Sequence, residues 1–269
     1  MKIIRFITEQ GKVFYGLSEG GLEEARIIEG NIFGTFEVTE KVEKIAKLLS
    51  PVEPKNIIAL GLNYGKHADE TGIRKPESPV MFIKATSSVT GHGDFIALPD
   101  AGPDEVDYEA ELAIVIGRDA KNVSPEDAGN YIFGFTCAND VSARDWQMIK
   151  QKKQWARGKS FDTFCPLGPC LVTKDEITNP DNLRIRSILN GEIMQDSNTS
   201  DMLFDTHAII SDLSRSMTLL KGTVIMTGTP DGVGFTRTPP VFLREGDTIT
   251  VEIEKVGALS NPVKREILV

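Results

Sequence analysis

The most informative stretch of the sequence is Asp107-Tyr108-Glu109-Ala110-Glu111-Leu112-Ala113-Ile114-Val115-Ile116-Gly117. It predicts a strand whose alternation puts Glu109 and Glu111 on one face. The apolar run that follows them indicates burial, and two buried carboxylates repel each other unless a cation lies between them. The segment therefore predicts a divalent-metal site, or else the solvated acidic face of an edge strand.

A third carboxylate follows another apolar strand. The run Gly134-Phe135-Thr136-Cys137-Ala138 leads directly into Asn139 and Asp140. Asp140 either caps the segment after it or joins the two glutamates in an all-oxygen site. Such a site suits Mg²⁺ or Mn²⁺, with Ca²⁺ as an alternative. The three histidines show no ligand spacing, which argues against a zinc hydrolase.

Two further segments carry candidate catalytic groups. His67 and Glu70 lie three residues apart, so one helical turn would bring them into contact. A carboxylate beside an imidazole orients it as a base near neutral pH. The alternative is a surface histidine in a polar loop. Lys159, framed by aromatic residues, either binds a carboxylate or enolate oxygen in a pocket or is an exposed surface lysine.

A glycine-rich loop follows the predicted buried strand that contains Met226. The sequence Thr227-Gly228-Thr229-Pro230-Asp231-Gly232-Val233-Gly234 lacks the phosphate-loop signature. It either offers backbone N–H groups and the Thr229 hydroxyl to a ligand carboxylate or forms a tight turn.

Composition excludes several classes of protein. A net charge of −9 and a pI of about 5.0 argue against nucleic-acid binding. No segment approaches the roughly 18 apolar residues of a membrane helix, and charges interrupt the N-terminal apolar run, so neither a membrane span nor a signal peptide is expected. Three cysteines without CxxC spacing predict reduced thiols and a cytoplasmic protein.

Many short apolar runs, separated by 24 Gly and 14 Pro, predict a mostly β (α+β) architecture rather than repeating βαβ units. Residues 1–52 are predicted as a small N-terminal α/β domain with strands at Lys2–Phe6 and Lys12–Leu17 and a helix at Thr39–Leu49. Residues 53–269 form the larger domain. Its predicted strands are Lys55–Leu62, Val80–Ile83, Glu109–Ile116, Ile132–Ala138, Cys170–Thr173, Ile185–Leu189, Thr223–Thr227 and Thr248–Ile253, and its predicted helices are Ser124–Ala128 and Thr206–Leu220.

Taken in chain order, these motifs resemble the fumarylacetoacetate hydrolase family over roughly residues 55 to 260. The resemblance is closest to the shorter members, the fumarylacetoacetate hydrolase domain-containing proteins. It implies a mixed β-sandwich roll as the catalytic domain, a small N-terminal domain and a homodimer. The motifs that carry it are Gly-Leu-Asn-Tyr-Gly-Lys-His from 61, Asp-Tyr-Glu-Ala-Glu-Leu from 107, Asn-Asp-Val-Ser-Ala-Arg-Asp-Trp-Gln from 139, Gly-Lys-Ser-Phe-Asp-Thr-Phe from 158, and Thr-Gly-Thr-Pro-Asp-Gly-Val-Gly from 227.

The resemblance also implies a role for each matching residue. Longer hydrolases of the family have an additional acidic ligand upstream of the catalytic histidine, where this chain has Asn63 and Tyr64. Residues 65–80 match a segment that is often a mobile lid. The implied metal ligands are Glu109, Glu111 and Asp140, the implied catalytic residues are His67, Glu70 and Lys159, and the implied substrate contacts are Arg144, Gln147 and Thr229.

The expected function is therefore Mg²⁺- or Mn²⁺-dependent hydrolysis of a C–C bond in a small diketo acid resembling an acylpyruvate. The alternative is an isomerase, tautomerase or decarboxylase of a 2-oxo dicarboxylic acid, such as oxaloacetate or 2-hydroxyhepta-2,4-diene-1,7-dioate. A non-catalytic binding protein on the same fold would typically have lost one of the implied site residues. All of them are present.

Overall fold

A computed structural model describes residues 1–18 and 20–266 of the 269-residue chain. Its three α-helices are α1 (Gly65–Thr71), α2 (Trp155–Gly158) and α3 (Thr206–Ser216). A π-helix covers Trp146–Lys150, and 3₁₀ turns cover Thr86–Ser88, Ala128–Asn130, Thr199–Asp201 and Gly234–Thr236. The strands, labelled β1 to β19 in chain order, are Lys2–Ile7, Val13–Leu17, Glu24–Gly30, Phe36–Lys44, Lys47–Leu49, Ile57–Gly61, Val80–Lys84, Val89–Thr90, Ile96–Leu98, Val106–Asp107, Ala110–Ile116, Ile132–Asn139, Ser142–Ala143, Cys165–Thr173, Arg184–Leu189, Glu192–Asn198, Val224–Met226, Thr248–Ile253 and Gly257–Arg265.

Two sheets form the body of the molecule. The larger has twelve strands and runs in the order β4-β3-β2-β1-β14-β12-β11-β17-β6-β7, with β5 and β8 attached beside this path. The smaller has five strands in the order β16-β15-β18-β19-β9. Leu112 and Phe135 of the larger sheet share one buried cluster with Ile185, Val251 and Leu259 of the smaller. The sheets therefore face each other, and the predicted mostly β class is confirmed.

The central strand β11 is buried along its whole length. It pairs antiparallel with β12 on one side and with β17 on the other. Its sequence is Ala-Glu-Leu-Ala-Ile-Val-Ile, and every residue after Glu111 is apolar. Apolar residues on both faces are expected for a strand that is covered on both sides. Full burial of each leucine or isoleucine contributes roughly 1.5–3 kcal/mol to the free energy of unfolding. The strand is therefore firmly held, and so are the residues directly before and after it.

The helix predicted over Thr39–Leu49 is wrong. Strand β4 covers Phe36–Lys44 and pairs with β3, and β5 covers Lys47–Leu49 and pairs with β1. Aromatic and β-branched residues, including Phe36 and Val38, suit a strand, and available partner strands outweighed the helical spacing of the apolar residues. The described part of the N-terminal segment is therefore built of strands, which corrects the expected α/β character.

The other predicted strands and the helix predicted over Thr206–Leu220 are confirmed, most of them with altered ends. Helix α3 begins at Thr206 as predicted, where the Asp205 side chain accepts a hydrogen bond from the Ala208 amide at 2.7 Å. It ends at Ser216, where the backbone of Met217 is extended, and Leu219 forms a β-bridge with Ala120. The helix expected at Ser124–Ala128 is a turn followed by a 3₁₀ segment that begins at Ala128. Among residues 1–18 and 20–266, no helix has the length and apolarity needed to cross a membrane.

Candidate active site

Three predicted metal ligands converge at one end of the central strands. Glu109 and Glu111 flank the first residue of β11, and Asp140 follows the last residue of β12. The register pairs Ala110 with Asn139, and the Asp140 amide donates to the Glu109 carbonyl at 2.9 Å. One oxygen from each of the three buried carboxylates lies within 4.8 Å of the other two. Antiparallel pairing thus brings distant acidic residues together.

The donor set fits a divalent cation. Oε2 of Glu111 accepts a hydrogen bond from the Gly228 amide at 2.7 Å, whereas Oε1 is buried without a hydrogen-bond partner among the described residues. Burial, reinforced by the charges of Asp140 and Glu109, raises the pKa of Glu111 well above its usual value. A buried oxygen with free lone pairs can coordinate a cation, and three carboxylates suit Mg²⁺ or Mn²⁺ better than Zn²⁺.

Two buried lysines contact the same aspartate from different sides. Lys159, directly after α2, donates from Nζ to Glu109 Oε2 at 2.9 Å and to Asp140 Oδ2 at 2.7 Å. Burial opposes the charged form of Lys159, but Asp140 and Glu109 outweigh this effect and raise its pKa. Lys84, the last residue of β7, donates to Asp140 Oδ1. Both lysines therefore compensate the negative charge of the carboxylates.

A buried arginine ties the acidic cluster to its surroundings. Arg144 donates from Nε to Asp107 at 2.9 Å, and one terminal nitrogen forms ion pairs of 2.8 Å with Asp107 and Glu109. Its other terminal nitrogen donates to Gln147 Oε1 at 2.8 Å. Burial favours the neutral form of Glu109, but Lys159 and Arg144 outweigh it and lower the pKa of Glu109 to about 2.

Helix α1 carries the predicted histidine and glutamate pair. His67 Nδ1 lies 2.7 Å from Glu70 Oε1, and His67 is 7% exposed. This contact leaves Nε2 for the pocket that His67 lines. Burial would raise the pKa of Glu70, but hydrogen bonds from His67 and the Gly232 amide outweigh it and lower the pKa. The pair therefore has the geometry of an oriented general base.

Asn63 fixes the entry to α1. Its side-chain amide donates to the carbonyls of Thr227 at 2.8 Å and Phe204 at 3.0 Å, and its oxygen accepts from the Phe204 amide at 2.9 Å. The side chain thus connects the strand before α1 to two other segments. At the position where longer hydrolases are expected to offer an acidic ligand, this chain has a structural amide.

One pocket brings most of the predicted site residues together. Glu111 and Asp140 are not among its lining residues, and Glu70 contacts it through His67. The Thr229 hydroxyl donates to the Ala110 carbonyl at 3.0 Å and accepts from Gln195 Nε2 at 2.8 Å. The predicted residues that line this pocket of about 60 Å³ are His67, Glu109, Arg144, Gln147, Lys159 and Thr229, and apolar residues including Leu62, Phe82, Met148, Trp155 and Phe235 complete its wall.

Sequence reasoning missed three polar residues that organise the site. Lys84 ends an apolar strand on the same face as buried Phe82, and that alternation was its only signal. Asp107 immediately precedes the acidic strand and is fully buried. Gln195 accepts from the Ala110 amide at 3.0 Å and supports Thr229. Each acts through a partner distant in sequence, which a local motif does not reveal.

Comparison with known proteins places these residues in a family context. Residues 56–264 match the family model described as fumarylacetoacetate (FAA) hydrolase C-terminal, and residues 1–51 match one described as Rv2993c-like, N-terminal. A relative from Xenopus laevis, the mitochondrial oxaloacetate tautomerase fahd2, is 52% identical over 217 residues. That match covers 80% of this chain and 68% of the relative.

Two solved structures resemble the whole chain. The 5-carboxymethyl-2-hydroxymuconate delta-isomerase from Mycobacterium smegmatis is 39% identical with a TM-score of 0.86, and the match covers 99% of this chain and 100% of that one. The 2-hydroxyhepta-2,4-diene-1,7-dioate isomerase from Mycobacterium marinum is also 39% identical, with a TM-score of 0.85 and 99% of each chain covered. The fold expected from the motifs is thereby confirmed.

Proposed function

The chain belongs to the fumarylacetoacetate hydrolase family, and we propose that it is a metal-dependent tautomerase of a small 2-oxo dicarboxylic acid, with oxaloacetate as the first candidate. One observation carries the proposal: His67, oriented by Glu70, lines the same pocket as Lys159 and Glu109. A candidate base, a cation and one of the candidate metal ligands thus line one small pocket. This combination suits proton transfer next to a carbonyl group.

The metal has a defined place in this proposal. Glu109, Glu111 and Asp140 would hold Mg²⁺ or Mn²⁺, and the unpartnered Glu111 oxygen supports that assignment. When bound there, a divalent cation would supply positive charge and Lewis acidity to a carbonyl substrate. Lys159 adds a second positive charge in the same pocket, because the carboxylates of Asp140 and Glu109 keep its ammonium group protonated despite burial.

His67 and Glu70 have different roles in the proposed proton transfer. His67 Nε2 removes a proton from C3 of the keto acid, and the electron pair of that C–H bond forms the C2=C3 double bond. The carbonyl π electrons move to oxygen, which takes a proton from the imidazolium or from water to give the enol. Glu70 stabilises the imidazolium through Nδ1–H. The reverse sequence returns the keto form.

The relatives favour this reaction over the C–C hydrolysis that the motifs led us to expect first. The Xenopus relative is named a tautomerase, and both solved structures described above are named isomerases. Tautomerisation also needs only one proton-transfer group beside the carbonyl, whereas hydrolysis needs a positioned water molecule as well. Decarboxylation of oxaloacetate passes through the same kind of enolate and is a second activity to measure.

The test follows the loss of enol-oxaloacetate by its ultraviolet absorbance with Mg²⁺ or Mn²⁺ present. His67→Asn should lower kcat by about 10²- to 10⁴-fold, as expected for loss of a general base. His207→Asn, on helix α3, is the matched control and should keep the activity. Pyruvate formation and acylpyruvate cleavage are measured in parallel. If acylpyruvate cleavage depends on His67 and is faster than tautomerisation, C–C hydrolysis replaces tautomerisation as the proposed function.

We further propose that the enzyme is a cytoplasmic homodimer acting on small molecules. The homodimer rests on the family resemblance, and the location rests on three buried free cysteines. Light scattering during size-exclusion chromatography tests the first point. A monomer at micromolar concentration would contradict it.

A further inference from the structure

A short loop after β17, residues 232–236, binds the carboxylate that orients the histidine. Glu70 Oε1 contacts His67, while Oε2 accepts hydrogen bonds from the Gly232 amide and the Thr236 hydroxyl, each at 3.1 Å. The Thr236 Oγ1 atom also lies 2.9 Å from the Val233 carbonyl oxygen, so its single proton is shared between these two acceptors. One carboxylate therefore links helix α1 to this loop.

The middle of the same loop binds a second carboxylate. Asp107 accepts hydrogen bonds from the Gly234 amide at 2.7 Å and from the Phe235 amide at 3.0 Å. Asp107 also accepts from Arg144 Nε at 2.9 Å, and the Phe235 ring lies 4.4 Å from the Arg144 guanidinium. The loop therefore connects the group that orients His67 with the group that holds Arg144.

Close packing leaves this loop little freedom. A Cβ atom on Gly234 would lie 1.9 Å from the Val241 carbonyl oxygen, so only glycine fits there. Gly232 has a φ of +94°, and a Cβ atom on it would lie 2.4 Å from the Met194 carbonyl oxygen. The loop is thus a rigid frame between two carboxylates, as a precisely held catalytic group requires.

We propose that Thr236 is a positioning residue that holds Glu70, and through it His67, at a fixed place relative to Arg144 and Glu109. The inference rests on the proposed function, because it requires His67 as the proton-transfer group. Thr236 is not among the residues that line the pocket, so it acts through Glu70. A misplaced base slows proton transfer while the binding groups stay where they are.

The experiment compares two substitutions that differ in one hydroxyl group. Thr236→Val removes the donor at nearly constant volume and should lower kcat about tenfold, with KM changed less than about twofold. Thr236→Ser keeps the donor and should stay within about twofold of the parent kcat. Thr250→Val is the matched control, because its hydroxyl bonds Ser260 at 3.0 Å in the smaller sheet. Urea unfolding checks that each variant is folded.

A double-mutant cycle identifies the route of the effect. In a Glu70→Ala background, Thr236→Val should cause no further loss of kcat, because the acceptor of its hydroxyl is gone. An unchanged kcat in Thr236→Val, a loss that serine does not restore, or an equal loss in the Glu70→Ala background would overturn the positioning role. Full activity of His67→Asn would instead overturn the proposed function, so the two failures are distinguishable.

Discussion

Asp140 is held through both of its oxygens, by Lys84 on one and Lys159 on the other. Lys159 faces the pocket, whereas Lys84 is 1% exposed and lies outside the pocket wall. The two lysines thus have different tasks, although both offset the charge of the same carboxylate. We expect Lys159 to contact the substrate and Lys84 to orient Asp140.

Replacing Lys84 tests that division. Lys84→Met removes the partner of Asp140 Oδ1 while filling similar volume, so the carboxylate loses its orientation. Loss of an outer contact to a metal ligand typically weakens metal binding by about 10- to 100-fold. Titration calorimetry with Mn²⁺ measures the change, and exposed Lys12→Met is the control. Unaltered Mn²⁺ affinity in a folded Lys84→Met protein would contradict this role.

Glu70 should make stability depend on pH in the acid range. Its folded-state pKa lies below the usual value of 4.5, so folding favours the ionised carboxylate. The resulting stabilisation is fully present above about pH 4.5 and is lost as the pH falls through the folded-state pKa. The difference in Tm between the parent and Glu70→Gln should therefore shrink between pH 7 and pH 3.

Scanning fluorimetry across that pH range supplies the measurement for Glu70. Glu40→Gln is the control, because the Glu40 side chain is 96% exposed. A Tm difference between the parent and Glu70→Gln that stays constant from pH 7 to pH 3 would show that Glu70 does not gain its charge-dependent contacts on folding.

Among the elements, β11 is expected to contribute strongly to stability, because all of its residues are buried. Ile114 is fully buried in the cluster shared by both sheets, whereas Ile83 on edge strand β7 is 53% exposed. Ile114→Ala should lower the free energy of unfolding by about 2–5 kcal/mol, through lost burial and the cavity left behind. Ile83→Ala should change it by less than about 0.5 kcal/mol. Urea unfolding compares them, and equal losses would refute the central position of β11.

Central strands were predictable because burial on both faces produces long apolar runs, as in Ala110–Ile116. Strand β4 was not, because none of its residues is fully buried and its charged residues also suit a helix. Its structure depends on pairing with β3, which no local pattern specifies. Element type could thus be predicted where burial is complete, whereas the prediction failed at an edge of the sheet.

The same contrast applies to the site. Glu109 and Glu111 could be placed together because alternation along a strand is local, and His67 and Glu70 because helical spacing is local. Lys84 and Asp107 could not, since their roles arise from strands β7 and β10 meeting distant segments. Sequence therefore predicts the residues of a site more readily than the contacts that hold them.

At the scale of the whole molecule, the three cysteines report on global unfolding. Burial raises the pKa of Cys165 to about 12 and that of Cys170 to about 11, and it raises the pKa of Cys137 as well. Thiolate is the reactive form, so the native protein should resist iodoacetamide at pH 8.5 and react fully in urea. Mass spectrometry counts the labels, and rapid labelling of the native protein would contradict the buried placement.

These thiols also predict alkaline destabilisation. Because the folded-state pKa values are raised above the usual 9.0, the stabilisation is present below pH 9 and is lost as the pH rises through the folded-state values. The free energy of unfolding should accordingly fall between pH 9 and pH 11 in urea titrations. Replacing Cys165 with Ala should reduce that slope, and an unchanged slope would exclude its contribution.

The pairing of β1 with β14 has a consequence for the evolution of this chain. Lys2 and Ile3 lie opposite Val172 and Leu171, so the first strand covers what would otherwise be a bare row of peptide donors and acceptors. Bare rows of that kind recruit other chains into aggregates. A homologue that lost the N-terminal strands would need another segment to cover the exposed edge of β14. The N-terminal strands and the rest of the chain are therefore expected to be gained or lost together in evolution.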